Sequence, residues 1–321
     1  MKVLVAGGAG FIGSHLCRTL LEAGHQVVCL DDLSTGRLAN VGDLAGHARF
    51  EFLQQDARSA PLVSAEAIFH LASPASPVDY ERLQLETLAA NSLGTWRLAD
   101  IAVQTGAKLT YASTSEVYGD PLVHPQDEGY WGNVDPVGPR SMYDEGKRFG
   151  EALLTAMRRT RGLRATIVRI FNTYGPGMRP DDGRVIPELV TAALAGRPLV
   201  LHGDGSQTRS FCYVEDLVAG LLRVGLDLDS EGGIFNLGNP EEVTIRQLAE
   251  AIIEATGSTA PIVSAPAREG DPQQRRPDIG RVQRQYGWSP IVDLRTGLRR
   301  TVAAWPPTPG LRGSDFAVAH G

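Results

Sequence analysis

The beginning of the chain constrains its fold more than any other feature, because it places a glycine-rich turn between an apolar run and a helical pattern. The run KVLVA at 2–6 is typical of a strand buried on both faces of a parallel sheet. It leads directly into GGAGFIG at 7–13, after which Leu16, Leu20 and Leu21 follow at helical spacing. A strand, a glycine turn and a helix in this order are the fingerprint of a dinucleotide-binding unit. We therefore predict an α/β protein with a Rossmann-type, doubly wound parallel sheet.

The residues of this turn suit a bound pyrophosphate. Gly7 allows the tight turn, Gly10 lets the backbone approach the phosphates, and Gly13 lets helix and strand pack closely. The N-terminus of the helix that follows presents free N–H groups to the phosphates. Because glycines also serve ordinary turns, the triplet needs support from the rest of the chain.

A carboxylate follows the second apolar run of the chain. QVVCL at 26–30 predicts a strand, and Asp31 and Asp32 come directly after it, at the spacing expected for a group that binds the adenosine ribose hydroxyls. A carboxylate here would repel a 2′-phosphate, which favours NAD over NADP, although the nearby Arg37 leaves NADP open. Asp56 ends the next strand-like run and is predicted either to contact the adenine or to cap a turn.

Two further apolar runs end in polar residues. IFHLA, at the start of the segment 68–77, is followed by SPASP, and KLTYAS at 108–113 is followed by Thr114, Ser115 and Glu116. The carboxyl ends of parallel strands form the ligand-binding edge of an open α/β sheet, so these side chains are expected to meet at one site. Taken alone, each run is equally consistent with a core strand and a polar cap.

Tyr143 and Lys147 lie four residues apart, which puts both side chains on one face of a helix. An ammonium group beside a tyrosine stabilises the phenolate, so the pKa of Tyr143 is predicted to fall toward the range of a general base. Lysine is rare in this chain, since only three of the 31 lysine and arginine residues are lysines. An isolated pair of this kind is usually an ordinary helix surface, but its combination with the glycine turn and the polar strand ends favours catalysis.

In these motifs the chain resembles the extended short-chain dehydrogenase/reductases that modify nucleotide sugars, from Met1 to about Trp305. The finer motifs resemble those of the UDP-glucuronate decarboxylases, which form UDP-xylose: HLASPASP at 70–77, STSEVYGDP at 113–121, YWGN at 130–133, GPRSMYDEGKR at 138–148 and GSQTRSF at 205–211. Dehydratase relatives carry an Asp-Glu pair after the threonine, where this chain has Ser115 and Glu116, and 4-epimerase relatives lack this acidic residue. Met142 stands where many decarboxylases have a small residue or cysteine.

The resemblance implies an enzyme that binds NAD and a UDP-sugar. The implied catalytic residues are Tyr143, Lys147, Thr114 and Glu116. The implied NAD-binding residues are Gly7, Gly10, Phe11, Ile12, Gly13, Asp31, Asp32, Asp56, Leu71, Ala72 and Ser73, together with Tyr143 and Lys147. The implied substrate-binding residues are Pro74, Ser115, Arg140, Asn172, Val185, Arg209 and Arg276, with Asp271 as a further uridine contact. Arg275 joins Arg209 and Arg276 as a candidate for a diphosphate or carboxylate clamp, because a guanidinium group can bind either with two parallel hydrogen bonds.

The implied reaction is a closed redox cycle. Tyr143 removes the C4 hydroxyl proton while hydride passes to NAD, Thr114 orients the same oxygen, and the resulting 4-ketone allows the sugar to lose its carboxylate as carbon dioxide. Glu116 is predicted either to handle a proton near C5 through a water molecule or to act as a structural cap. The alternatives are a nucleotide-sugar 4-epimerase, a 4,6-dehydratase, a decarboxylase that also rearranges the sugar ring, and a non-catalytic NAD-binding regulator.

The order of the apolar runs predicts two interleaved domains. The NAD-binding domain covers 1–175 and also includes a later segment at about 211–243. A smaller α/β substrate domain is built from 176–210 and 244–305. Helices of the smaller domain are predicted at 185–194, at 243–257 with Thr244 as the N-cap, and at 292–305, before a disordered tail at 306–321. By resemblance, the helix of Tyr143 and one near 83–104 form the four-helix interface of a homodimer.

Composition argues against several other classes of protein. Hydrophobic residues at 42% and charged residues at 21% are typical of a globular protein, and a net charge of -6 gives no support for a nucleic-acid partner. No apolar run reaches the length of a membrane span and no signal peptide precedes the first strand, so the expected location is the cytoplasm. Cys17, Cys29 and Cys212 form no CxxC pair and His70 ends an apolar run, so all four are predicted to be packed and no metal site is expected.

Overall fold

The computed structural model describes residues 1–266 and 274–306. Its strands are β1 (Lys2–Ala6), β2 (Gln26–Asp31), β3 (Phe50–Gln54), β4 (Ala67–His70), β5 (Lys108–Thr114), β6 (Ala165–Ile170), β7 (Thr173–Tyr174), β8 (Leu199–His202), β9 (Thr208–Ser210), β10 (Cys212–Tyr213), β11 (Ile234–Leu237), β12 (Glu242–Thr244) and β13 (Ile262–Ala265). Its helices are α1 (Phe11–Glu22), α2 (Pro77–Arg82), α3 (Gln84–Ala89), α4 (Thr95–Thr105), α5 (Ser141–Arg161), α6 (Val185–Leu194), α7 (Val214–Leu226), α8 (Ile245–Thr256), α9 (Gly280–Tyr286) and α10 (Leu294–Ala303). A π-helical segment, Ala90–Gly94, joins α3 to α4.

Seven parallel strands form one sheet in the order β11-β6-β5-β4-β1-β2-β3. From β1 the chain moves outward to β2 and β3, then crosses back to β4 on the other side of β1 and moves outward again. The strand order therefore reverses between β1 and β4, and such a reversal leaves a crevice at the carboxyl ends of the two strands. Val5 of β1 stands between Cys29 of β2 and Phe69 of β4. The predicted doubly wound parallel sheet is confirmed.

Both faces of the sheet are covered because its central strands are apolar throughout. Val3 and Val5 belong to a cluster with residues of α1 and α7, whereas Leu4 and Ala6 belong to a cluster with residues of α4 and α5. This alternation follows from the two-residue period of a strand. Each fully buried valine or leucine contributes about 1.5–3 kcal/mol to folding. Together the two clusters fix the sheet, and with it the turns at its carboxyl edge.

A third apolar cluster lies beside the sheet and draws on α6, α8 and α10 and on the parallel pair of β8 and β13. The helix predicted at 185–194 is confirmed with the same bounds as α6. Thr244 caps α8 as predicted, and Gln247 completes the capping box by accepting the Thr244 N–H. Strand β11 pairs with β6 at the edge of the large sheet.

The C-terminal part differs slightly from the prediction. Helix α10 begins after its cap Asp293 and ends at Ala303, inside the helix predicted at 292–305. The short helix α9 was not predicted. Asp271 and the predicted tail from residue 307 onward lie outside the described residues. No helix within 1–266 and 274–306 is long and apolar enough to cross a membrane.

The cysteines and His70 are packed, as predicted. Cys17, Cys29 and Cys212 are buried and free. His70 is also buried, and its Nε2 lies 2.9 Å from the Thr95 hydroxyl oxygen. Burial lowers the pKa of His70 to about 3, so the ring is neutral at physiological pH. In the part of the chain that the structure describes, no group of three or more His, Cys, Asp or Glu residues is placed to hold a metal ion.

Candidate active site

A cavity lies at the carboxyl edge of the sheet, where the strand order reverses. Its walls come from the turns after β1, β4, β5 and β6 and from the start of α6. Sixteen of the predicted site residues line it: Gly7, Gly10, Phe11, Ile12, Gly13, Leu71, Ser73, Thr114, Ser115, Glu116, Arg140, Tyr143, Lys147, Asn172, Val185 and Arg209. Six predicted residues lie outside this lining: Asp31, Asp32, Asp56, Ala72, Pro74 and Arg276.

The glycine turn has the geometry of a dinucleotide cradle. Gly7 has a φ of +81°, and a Cβ atom there would lie 2.7 Å from the backbone of Leu71 and Ala72. A Cβ atom at Gly13 would lie 2.1 Å from the carbonyl oxygen of Gly7, so helix and turn pack without space for a side chain. No side chain caps the N-terminus of α1 at Gly10, which leaves the first N–H groups of the helix available to phosphate oxygens. These features fit a bound pyrophosphate.

Asp31 ends β2 beneath this turn. One of its carboxylate oxygens accepts the N–H of Ala9 and the other accepts the N–H of Leu33, each at 2.9 Å. The side chain is buried, and burial raises its pKa although both hydrogen bonds oppose that change. Asp31 therefore braces the glycine turn, and each oxygen still has acceptor capacity for a ribose hydroxyl.

The other predicted residues outside the lining have local partners. Asp56 accepts the N–H of Arg58 at 2.8 Å and forms an ion pair with the same arginine, so it occupies the capping role that the sequence left open. Asp32 is exposed and accepts the N–H of Ser34. Pro74 is buried, and its carbonyl oxygen accepts a hydrogen bond from Ser73.

Tyr143, Lys147 and Thr114 meet in the centre of the cavity wall. Helix α5 carries the tyrosine and the lysine on one face, and β5 ends at Thr114, whose hydroxyl lies near that of Tyr143. The Lys147 Nζ donates to the carbonyl oxygen of Ala112 at 2.8 Å and lies 5.8 Å from the centre of the Tyr143 ring. Ala112 and Thr114, two residues apart on β5, thus face the two side chains through a backbone carbonyl and a hydroxyl.

The pKa of Tyr143 is raised, so the prediction that Lys147 lowers it was wrong for this arrangement. Burial of the phenol is the largest cause, and the nearby Thr114 hydroxyl opposes it only in part. Lys147 is itself deeply buried, which lowers the pKa of its amino group to about 7. A phenolate at Tyr143 therefore needs a further positive charge close to the ring.

Two cavity residues were missed by the sequence analysis. Tyr80 of α2 stacks on Tyr143 with ring centres 5.1 Å apart and planes 14° apart. Arg184 lines the cavity beside the start of α6 and is paired with Asp182. No local sequence pattern marks either residue. Tyr80 is far from Tyr143 in the sequence, and Arg184 and Asp182 lie in an irregular loop.

Glu116 lies in the short 3-10 turn that follows β5 and is surrounded by arginines. Arg275 donates to one of its carboxylate oxygens, and the nearest guanidinium nitrogen of Arg140 lies 3.7 Å from the other. Burial raises the pKa of Glu116, but Arg275 and Arg140 outweigh burial, so the net pKa is lowered and the group is ionised. This part of the cavity wall thus holds an ionised carboxylate between two arginines.

Of the two neighbours Arg275 and Arg276, Arg275 lines the cavity and Arg276 does not. Arg275 is 4% exposed and lines the cavity beside Glu116. The side chain of Arg276 is 40% exposed, with its Nη1 3.9 Å from a carboxylate oxygen of Glu242. Successive side chains of an extended segment point in opposite directions, which is why only one of the two neighbours reaches the site. The substrate role predicted for Arg276 suits Arg275 better.

Arg179 ties three segments together at the mouth of the cavity. Its Nη2 lies 2.8 Å from a carboxylate oxygen of Asp79 in α2, and its Nη1 donates to the carbonyl oxygen of Thr35 in the loop after β2. Thr35, Asp79 and Arg179 all line the cavity. The contacts connect the loop next to Asp31 with the helix that carries Tyr80.

Comparison with known proteins identifies the family of this chain. The model of the NAD dependent epimerase/dehydratase family matches residues 3–238. "UDP-glucuronic acid decarboxylase 1" of Danio rerio is 46% identical over 301 residues, which cover 94% of this chain and 72% of the relative. "UDP-glucuronic acid decarboxylase 3" of Arabidopsis thaliana is 46% identical over 299 residues, which cover 93% of this chain and 87% of the relative.

Solved structures agree with this assignment. UDP-glucose 4-epimerase of Thermotoga maritima with UDP-glucose has a TM-score of 0.86 at 30% identity and covers 95% of this chain and 98% of its own. UDP-glucuronic acid 4-epimerase of Bacillus cereus, in complex with UDP-glucuronic acid and NAD, has a TM-score of 0.85 at 29% identity with the same coverage. With its glycine cradle, its Tyr143/Lys147 pair and these similarities, the chain belongs to the NAD-dependent epimerase/dehydratase family.

Proposed function

We propose that this chain is an NAD-dependent decarboxylase that converts UDP-glucuronate to UDP-xylose through a 4-keto intermediate. The observation that carries this function is the 46% identity to UDP-glucuronic acid decarboxylases over 94% of the chain. The cavity supplies what the reaction requires: a dinucleotide cradle, a tyrosine–lysine pair and a cationic wall around one carboxylate. The 4-epimerases among the structural neighbours are only 28–30% identical to it.

The first step is the removal of a proton from the C4 hydroxyl of the sugar by Tyr143. The Thr114 hydroxyl lies near that of Tyr143, so both can contact the C4 oxygen of the sugar. The glycine cradle would hold NAD, which would supply a reversible hydride acceptor for C4 and a positive charge that favours the Tyr143 phenolate. The Lys147 ammonium group lies 5.8 Å from the centre of the Tyr143 ring and favours the phenolate as well.

The C4 ketone makes the sugar carboxylate a β-keto acid, which loses carbon dioxide because the electron pair of the broken bond enters an enolate. Tyr143, now carrying the proton, donates a hydrogen bond to the enolate oxygen at C4. The enolate must then gain a proton at C5, and the substrate carboxylate is ionised, so one proton enters from solvent in each turnover. Glu116 lies in the same wall as Thr114 and handles this proton through a water molecule.

The arginines of the cavity suit the anionic groups of the substrate. Arg140, Arg209 and Arg275 all line it, and UDP-glucuronate carries both a diphosphate and a carboxylate. We assign the diphosphate to Arg209, next to Asn172, and Arg275 to the carboxylate end, where it also orients Glu116. Ser115 and Val185 would complete the contacts to the sugar and the nucleotide.

The assembly proposed for this protein is a homodimer built on α5 and on the segment from α3 to α4. Leu85, Leu93 and Trp96 are 76%, 61% and 44% exposed on that segment, and Phe149 on α5 is 46% exposed. Four helices, two from each protomer, would cover this apolar surface. Light scattering should give a dimer mass, and Leu85→Glu should give a monomer.

The predicted cytoplasmic location and the division into domains at 1–175 with 211–243, and at 176–210 with 244–305, stay predictions.

The purified protein, incubated with UDP-glucuronate and NAD, tests the proposed function. We expect carbon dioxide and UDP-xylose in equal amounts, identified by mass and NMR, with the total NAD unchanged. Formation of UDP-galacturonate without carbon dioxide would instead establish a 4-epimerase. An intact substrate together with tightly bound NAD would favour a non-catalytic NAD-binding regulator.

A further inference from the structure

A buried carboxylate lies one helical turn beyond Lys147. Tyr143, Lys147 and Glu151 are spaced four residues apart along α5 and therefore share one face of the helix. The Glu151 side chain is only 13% exposed. The reaction described above uses Tyr143 and Lys147 but assigns nothing to Glu151.

Glu151 is fixed by three hydrogen bonds from two strands of the sheet. Its Oε1 accepts the Ser113 hydroxyl at 2.6 Å and the Nε–H of Arg169 at 2.9 Å, and its Oε2 accepts an Nη2–H of Arg169 at 2.8 Å. Arg169 also donates to the hydroxyl oxygen of Tyr118 at 3.0 Å. The arginine–carboxylate pair is bidentate, which fixes the orientation of the carboxylate as well as its position.

The position of Ser113 connects this pair to the reacting residues. Ser113 lines the cavity and stands in β5 between Ala112, whose carbonyl oxygen accepts the Lys147 hydrogen bond, and Thr114, whose hydroxyl lies near that of Tyr143. A carboxylate that binds Ser113 therefore sets the end of β5 relative to α5.

The charges around Lys147 make Glu151 its electrostatic partner. Burial lowers the pKa of Lys147 to about 7, and Glu151 is the group that opposes this change. The rings of Tyr111 and Tyr143 face the ammonium group at 5.0 and 5.8 Å, and burial raises the pKa of both phenols, so without a further positive charge they remain neutral. His70 lies nearby, and burial keeps it neutral as well.

The groups that face Glu151 complete this account. Arg169 of β6 is a cation in contact with it, and Tyr118 of the turn after β5 lies behind that cation with its pKa raised by burial to about 12. Tyr111 faces Glu151 from β5, and the Glu151 charge adds to the effect of burial in raising the Tyr111 pKa. Lys147 can therefore change its charge near neutral pH. Asp144, three residues before Lys147 on α5, can do so as well, because burial raises its pKa to about 8, so the limb of the pH profile that belongs to Lys147 is the one that moves when Glu151 is changed.

We propose that Glu151, held by Arg169 and Ser113, is a positioning residue that keeps Lys147 in its ammonium form and fixes the end of β5 against the Tyr143 helix. The proposal deepens the proposed function, on which its kinetic test rests. A purely structural ion pair would affect the stability of the fold but not the pH at which Lys147 loses its proton.

Glu151→Gln separates these two roles because it keeps the size of the side chain and removes its charge. Lys147 carries its proton below its pKa, so activity that needs the ammonium group is lost as the pH rises through that pKa. Without Glu151 the pKa falls, and the alkaline limb of the kcat profile should move to lower pH by roughly one unit, the size expected of one charge a helical turn away. Glu145→Gln, the same change at a more exposed site on α5, should leave the limb in place.

A second variant and a second measurement keep the proposal testable. Glu151→Gln leaves the Arg169 charge buried without its partner, which could destabilise the fold. The double variant Glu151→Gln with Arg169→Met removes both charges of the pair. The alkaline limb of its kcat profile should also move to lower pH. The NAD affinity measured as a function of pH reports the protonation of Lys147 without any turnover. This measurement therefore remains informative if UDP-glucuronate is not the substrate. An unshifted limb in folded variants, or the loss of folding in both, would assign Glu151 a structural role only and overturn the proposal.

Discussion

Replacing Tyr143 with phenylalanine should separate catalysis from stability. The phenyl ring keeps the stack on Tyr80, whose centre lies 5.1 Å away, and keeps nearly all of the buried surface. The change removes one hydroxyl and its contact with the nearby Thr114 hydroxyl, which contributes at most as much as one hydrogen bond, about 0.5–1.5 kcal/mol. We therefore expect the free energy of unfolding to change by no more than about 1.5 kcal/mol.

The effect on catalysis should be much larger. Without the hydroxyl, no group at this position can take the C4 proton or donate a hydrogen bond to the enolate. General acid–base catalysis contributes about 10²–10⁴ in rate and electrostatic stabilisation about 10²–10³. A loss of at least 10³ in kcat corresponds to about 4 kcal/mol of transition-state stabilisation, well above the expected loss of stability.

Three measurements on Tyr143→Phe test this reasoning. The kcat for decarboxylation should fall at least 10³-fold, the thermal midpoint should change by only a few degrees, and the amount of bound NAD should stay the same. Tyr80→Phe serves as the matched control, because it keeps the stack and leaves Tyr143 intact. A kcat within tenfold of the wild type would refute the assignment of Tyr143 as the acid–base group.

Three further substitutions test the cofactor site. Asp31→Ala should weaken NAD binding by ~1–3 kcal/mol in a titration, because charge-assisted hydrogen bonds are lost, and an unchanged affinity would assign the ribose contact to another residue. Gly13→Ala places a Cβ atom against the Gly7 carbonyl oxygen and should lower the free energy of unfolding by ~1–3 kcal/mol, with reduced NAD binding; wild-type values for both would contradict the close packing described. Arg179→Met breaks the pair with Asp79, which joins α2 to the loop after β2 through Arg179. We expect NAD release to become roughly tenfold faster in stopped-flow fluorescence. An unchanged rate would show that this contact does not retain NAD.

The sequence predicted those parts of the fold that depend on local patterns. The short apolar runs at 2–6 and 26–30, each followed by a turn, and the helical spacing at 185–194 are local features, and the strands and the helix follow from them. The glycine turn is equally local, since Gly7 and Gly13 are needed by the backbone of the turn itself. The short helix α9 was missed because seven residues give too little periodicity to recognise.

Features of the site that depend on tertiary contacts could not be predicted in this way. The choice between Arg275 and Arg276 depends on which face of an extended segment meets the cavity, and the sequence does not show that face. The pKa of Tyr143 is raised because the side chain is buried, and the sequence does not show that burial. The spacing to Lys147 predicted only a nearby positive charge, which would lower the pKa. The stack of Tyr80 likewise joins α2 to α5 across the cavity.

The central claim of this account is that one hydride leaves C4 of the sugar and returns to C4 within the same turnover. UDP-glucuronate labelled with deuterium at C4 tests it directly, with the product examined by NMR and mass spectrometry. We predict UDP-xylose that retains the deuterium at C4 and carries one solvent-derived proton at C5. Loss of the deuterium to solvent, or carbon dioxide release with no passage through a 4-ketone, would contradict the claim.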